Sequence, residues 1–173
     1  MWEGSVVSIH VAATEGGALT PLQAVHAVPG YGLEGDRYYT FAKAGGIRPD
    51  QEITLVAEES VEEFNKEYGT AIKPEESRRN IVTRGVPLNE LVGRDFQVGE
   101  VTVRGHRLCE PCTDLVKYTG REEILPGLVH RAGMRAQVLT EGVIRVGDAV
   151  RVGDVMPAEA ADGAQMGNAV RES

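Results

Sequence analysis

The stretch "DFQVGEVTVRGHRLC", residues 95–109, sets Val101 and Val103 in alternation with Thr102 and Arg104. A period of two is that of a strand with one face buried and one wet. Gly99-Glu100 divides the stretch, so it reads as a hairpin or bent strand pair. The same form recurs outward along the chain. "SVVSIHVAA" (5–13), "LQAVHAVPG" (22–30, stopping at Pro29-Gly30), "EITLVAE" (52–58) and "NIVTRGV" (80–86) each read as a strand. "MRAQVLTEGVIRVGDAVRV" (134–152) reads as a second hairpin turning at Glu141-Gly142. Short alternating runs between Gly and Pro punctuation predict a mostly β chain, a closed or nearly closed β-barrel with a few short helices.

Two helices are expected. In "EESVEEFNKEYG" (58–69), Val61, Phe64 and Tyr68 fall at i, i+3 and i+7, and Gly69 is placed to end the helix. "PCTDLVKYTG" (111–120) is the second, about two turns long. With 173 residues, 42% hydrophobic and 25% charged, the chain fits one ordinary globular domain. That domain is expected over 1–156, with 157–173 a flexible tail that has no apolar period. No apolar run approaches the roughly 18 residues of a membrane span, so a cytoplasmic protein without a membrane partner is expected. The net charge of −8 argues against a nucleic-acid partner, which requires a basic face.

Chemistry concentrates at "RLCEPCTDL" (107–115), which holds both cysteines. The C-x-x-C spacing admits a redox dithiol, although the β-hairpin context differs from a thioredoxin motif. With His106 it offers three zinc ligands, one short of a structural site. A ligand to a softer metal and two inert buried thiols are also open. Two arginine clusters bear on the choice: "LEGDRYY" (33–39) sets Asp36 and Arg37 in a Gly-bounded loop, and "ESRRNIVT" (76–83) sets Arg78, Arg79 and Asn80 at the mouth of a strand. Guanidinium forks suit phosphate, and an Asn amide can read a heterocycle's edge.

From "GLEGDR" through "RRNIVTRGVPLNELVGRDFQVGEVTVRGHRLCEPCTDL" to "IRVGDAV", about 140 residues, the chain resembles the MOSC domain. That domain is named for the C-terminal domain of molybdenum cofactor sulfurase and forms the core of the amidoxime-reducing components. The resemblance implies a pyruvate-kinase-barrel-like β-barrel that binds the molybdenum cofactor, molybdopterin with its molybdenum. It implies Cys112 as the thiolate ligand to the metal and Arg37 and Arg78 as clamps on the pterin phosphate. Asn80 would contact the pterin and Asp36 would take part in binding the cofactor, while Cys109, Glu110 and Asp114 would lie around the metal, with Cys112 and Asp114 the catalytic pair.

The implied reaction is reduction of an N-hydroxylated small molecule, with electrons from a separate donor protein. A sulfur carrier using a Cys112 persulfide, exchanging with a sulfur donor or acceptor protein, and a non-catalytic cofactor carrier are the alternatives. The family's Lys-Ser pair for the phosphate is replaced here by "AATEGGA" (12–18), and its Asp-Thr pair by Pro49-Asp50.

Overall fold

The computed structural model of the chain describes residues 2–111, 116–117 and 119–152. Cys112, Asp114, half of the helix expected over 111–120 and the expected tail lie outside the described residues. The elements in order are β1 (Gly4–Ala12), β2 (Leu19–Leu22), β3 (Ala24–Val28), β4 (Gly32–Leu33), α1 (Arg37–Ala44), β5 (Ile53–Ala57) and α2 (Glu58–Tyr68). There follow β6 (Ile81–Arg84), β7 (Asp95–Val98), β8 (Val101–Leu108), the one-turn α3 (Ile124–Gly127), β9 (Met134–Val138), β10 (Gly142–Arg145) and β11 (Ala149–Arg151).

Seven strands close a barrel in the order β1-β11-β7-β8-β9-β5-β6 and back to β1. The first half of β1 makes the closure, with Gly4 and Ser5 opposite Val150 and Ala149, while its last residues carry β2. Strands β5 and β6 pair in parallel, and the connection between them contains α2. The barrel's inward residues, among them Ile9, Ile53, Leu55, Ile81, Phe96, Val103 and Met134, are fully buried and form one cluster. These are the alternate positions that the period of two marks as apolar.

A second cluster lies on the outside, where Val61 and Phe64 of α2 cover Val56 of β5 and Val82 of β6. Helix α2 is anchored by that apolar face and stops at Gly69 in the left-handed region (φ 67°, ψ 33°). Tyr68 stacks on Phe64 with ring centroids 4.8 Å apart. Truncating Phe64 would cost about 3–5 kcal/mol, because its ring fills the space between helix and barrel.

Three expectations are corrected. The run 22–30 is not one strand: β2 pairs with β1, while β3 leaves the barrel for a three-stranded sheet β10-β3-β4. The run 134–152 is not a hairpin either. Both edges of β9 are taken by β8 and β5, so β10 crosses to β3, and β11 returns to β7 and β1. Finally, "DRYY" is not loop: Asp36 caps α1 by accepting from the Tyr38 backbone amide, and Arg37 is its first residue. Helix α1 buries no residue, so its sequence carries no apolar period to read.

Candidate functional site

Strand register assembles a polar row on the outer face of the barrel. Inward Ile53 and Leu55 leave Thr54 and Val56 facing out on β5. Thr54 is paired with Arg135 on β9, and Arg135 with Arg107 on β8. On the other side Asn80 stands beside Thr54, and the His10 backbone amide donates to the Asn80 carbonyl at 2.7 Å. The row therefore reads His10, Asn80, Thr54, Arg135, Arg107 across β1, β6, β5, β9 and β8. One step along the strands the outward positions turn apolar, at Val56, Val82 and Cys109, beneath α2 and α3.

Asn80 is the hub of this row. Its side-chain Oδ1 accepts from the Thr54 amide and the Thr54 hydroxyl, each at 3.0 Å. Its Nδ2 donates to the His10 carbonyl at 3.0 Å and to Asp36 Oδ1 at 3.5 Å. Two acceptor sites and two N–H groups are all an amide has. In this arrangement the Asn80 side chain is fully engaged by Thr54, His10 and Asp36.

Asp36 is 2% exposed and is held by Asn80 and by the Ala12 amide at 3.0 Å. It fixes the start of α1, and the Arg37 guanidinium lies 3.7 Å from its Oδ1 while resting 4.7 Å from the centre of the Tyr38 ring. Arg78 follows a one-turn 3-10 helix (Pro74–Ser77) in the left-handed conformation (φ 65°), which costs a non-glycine residue on the order of 1 kcal/mol. That backbone turns its guanidinium to the Gly17 carbonyl at 2.7 Å. The "AATEGGA" segment is thus tied to Arg78. Arg79 spans in the other direction and donates to the Ala132 carbonyl at 2.8 Å. Asp36, Arg37, Arg78 and Asn80 accordingly come together at the β1–β6 end.

The cysteine motif contributes differently at each position. Cys109 is 2% exposed, packed with Phe64, Ile124 and Leu128, and its amide donates to the Gly133 carbonyl at 2.8 Å. Such a thiol is an apolar filler. Glu110 turns to His130, accepting from its backbone amide at 2.8 Å and meeting its Nδ1 at 2.9 Å. His106 pairs with Gln137 at 2.9 Å, and no three metal-binding side chains gather among the described residues.

A sequence profile of the MOSC domain matches residues 31–151. The chain belongs to the MOSC family. YuaD of Bacillus subtilis shares its fold with a TM-score of 0.71 at 18% identity, over 87% of this chain and 97% of that one. YiiM of Geobacillus stearothermophilus gives a TM-score of 0.66 at 19% identity, covering 87% and 75% of the two chains. For YiiM of Escherichia coli the values are 0.60, 16%, 94% and 80%. No relative is found among curated protein sequences.

Local charge in this MOSC domain runs against the chain's net charge of −8. Besides Arg37, Arg78 and Arg79, the row itself holds Arg135 and Arg107 directly opposite one another. Like charges so placed destabilise a strand pair by on the order of 0.5 kcal/mol. Asp50 offsets part of this. Its Oδ2 accepts from Arg107 at 2.8 Å and its Oδ1 from Arg48 at 3.2 Å. Partial burial works to raise the Asp50 carboxyl, but the two arginines outweigh it and hold the group below the usual carboxylate range. Burial lowers the His10 imidazole below its ordinary value, against the opposing pull of the Glu75 carboxylate.

Glu52, one residue before β5, is pushed up to about 7 by burial, although the Val138 and Gly30 amides donate to its Oε1. Thr54, Arg107 and Arg135 escape a reading of the sequence. Each looks like an ordinary strand residue until register makes them neighbours. A separate cleft of about 260 Å³ opens where β5 ends, lined by Glu59, Glu63, Leu88 and His130 among others.

Proposed function

We propose that this MOSC domain binds the molybdenum cofactor along the polar row and reduces N-hydroxylated small molecules. The carrying observation is the set of guanidiniums on one outer face of an acidic chain, braced by the buried Asp36–Asn80–Thr54 network. Arg37 and Arg78 would take the pterin phosphate, for which planar donor forks are suited. Molybdenum in a dithiolene favours a soft thiolate donor, and Cys112 would supply it. The burial of Cys109 in an apolar cluster supports that division of labour between the two cysteines. Once bound, the cofactor brings two-electron redox chemistry; the chain's part is to hold the phosphate, orient the ring system and exclude water on the α2 side. Electrons would come from a separate donor protein.

The test is metal and pterin analysis of protein made in a host that synthesises the cofactor. Near-equimolar molybdenum is expected. Cys112→Ser should abolish its retention, because a neutral hydroxyl replaces a soft thiolate. Cys109→Ser should keep most of it, and Arg37→Ala and Arg78→Ala should each weaken it strongly. Metal-free protein that instead gains about one sulfur atom on Cys112, removable by reductant, would establish the persulfide carrier. Equal loss from both cysteine variants would point to a dithiol or a zinc pair.

A further inference from the structure

Arg107 and Arg135 form a cross-strand pair whose charge the described structure compensates only in part, through Asp50 on Arg107. Both face outward beside Thr54, at the opposite end of the row from Arg37 and Arg78. Arg135 is half-buried, and its side chain has no hydrogen-bond or ion-pair partner among the described residues. The nearby carboxylate, Asp50, is already committed, one oxygen to Arg48 and the other to Arg107. Three guanidiniums against one carboxylate leave two positive charges at this spot. Two like-charged side chains held together on a sheet face, one of them half-buried, are what an anion would neutralise.

We propose that Arg107 and Arg135 form an oxyanion subsite that holds the phosphate monoester group of a small molecule. A phosphate monoester carries close to two negative charges at neutral pH, matching the residual charge, and presents three acceptor oxygens to the two donor forks. A carboxylate would satisfy only half of that charge. The subsite begins where the Gly133 carbonyl receives the Cys109 amide, so it flanks the strand end that leads into the cysteine motif. Its assignment to a substrate phosphate, as distinct from the pterin phosphate, rests on the cofactor reading. Anion binding itself does not.

Titration calorimetry on the cofactor-free full chain tests the proposal, with phenyl phosphate, inorganic phosphate and benzoate as probes. Saturable binding of phenyl phosphate is expected. It should weaken at least about tenfold in Arg135→Ala and in Arg107→Ala, as for loss of one charge-assisted contact, less in Arg135→Lys, and not at all in a control at the exposed Arg145→Ala. Unchanged unfolding midpoints in these variants show that the fold is intact. The proposal is overturned if phenyl phosphate does not bind, or if benzoate binds equally well. It is also overturned if binding survives Arg135→Ala but is lost in Arg37→Ala or Arg78→Ala, which would put the anion in the cofactor clamp. Absence of molybdenum from the purified protein would refute the cofactor reading and leave each of these results readable.

Discussion

Asn80→Asp changes one NH₂ group to an oxygen and keeps every other atom in place, so its effect reads the polar hub directly. The new oxygen would stand where Nδ2 now lies, 3.5 Å from Asp36 Oδ1 and 3.0 Å from the His10 carbonyl oxygen. Two carboxylates at that separation repel by about 5 kcal/mol at an effective dielectric of 20. The pair can escape by taking up a proton, which for a carboxyl of ordinary pKa of about 3.9 costs about 4 kcal/mol at pH 7. The smaller figure sets the limit, and Arg37, 3.7 Å from Asp36, reduces it further. A loss of about 3 kcal/mol at pH 7 is expected, from urea unfolding of the variant against the parent. Near pH 4 the cost of that proton vanishes and the single O–H of a protonated carboxyl can donate to Asp36, so the difference should shrink to what the lost donation to the His10 carbonyl costs. The Thr54 contacts through Oδ1 persist throughout. Equal stability of the two proteins at pH 7, or a deficit unchanged at pH 4, would refute the assignment of Asn80 Nδ2 to Asp36.

Two further outcomes follow from burial and backbone. Glu52 has its carboxyl raised from 4.5 to about 7 in the fold, so the folded state binds the proton more tightly. Its contribution is then fully present below pH 4.5 and is lost as pH rises through 7, amounting to about 3 kcal/mol. Glu52→Gln keeps the acceptor for Val138 and Gly30, so it should raise stability at pH 8 by about that amount and change little at pH 4; equal denaturation midpoints at pH 8 would count against it. Gly133→Ala should destabilise by at least about 2 kcal/mol in urea unfolding. Residue 133 sits at φ 108°, and an added Cβ would run into the Leu55 carbonyl oxygen. A neutral result would mean that β5 and β9 can separate more easily than their pairing implies.

Much of the molecule is legible in its sequence, where the signal is local. The alternation at 101–104 marks β8, the i, i+3 spacing of Val61 and Phe64 with Gly69 marks α2, and the ordered motifs from 32 to 150 mark the family. Burial of apolar side chains enforces each of these patterns, so the pattern survives in the sequence. The polar α1 carries no such record. Neither do the partners of β3 and β10, because both are short strands whose edges find each other only after the barrel has claimed the alternatives.

Asp36, Arg37, Arg78 and Asn80 are identifiable one by one from the sequence. That Asn80 braces Asp36 and Thr54 and spends its whole amide doing so is a property of three elements packed together. The pairing of Arg107 with Arg135 depends wholly on tertiary structure. A strand's period of two dictates only which residues share a face. Which of them become neighbours across strands depends on register, and register is fixed by the inward residues that must be buried, Leu55, Ile81 and Met134. The outward charges are carried into contact by a core they do not touch.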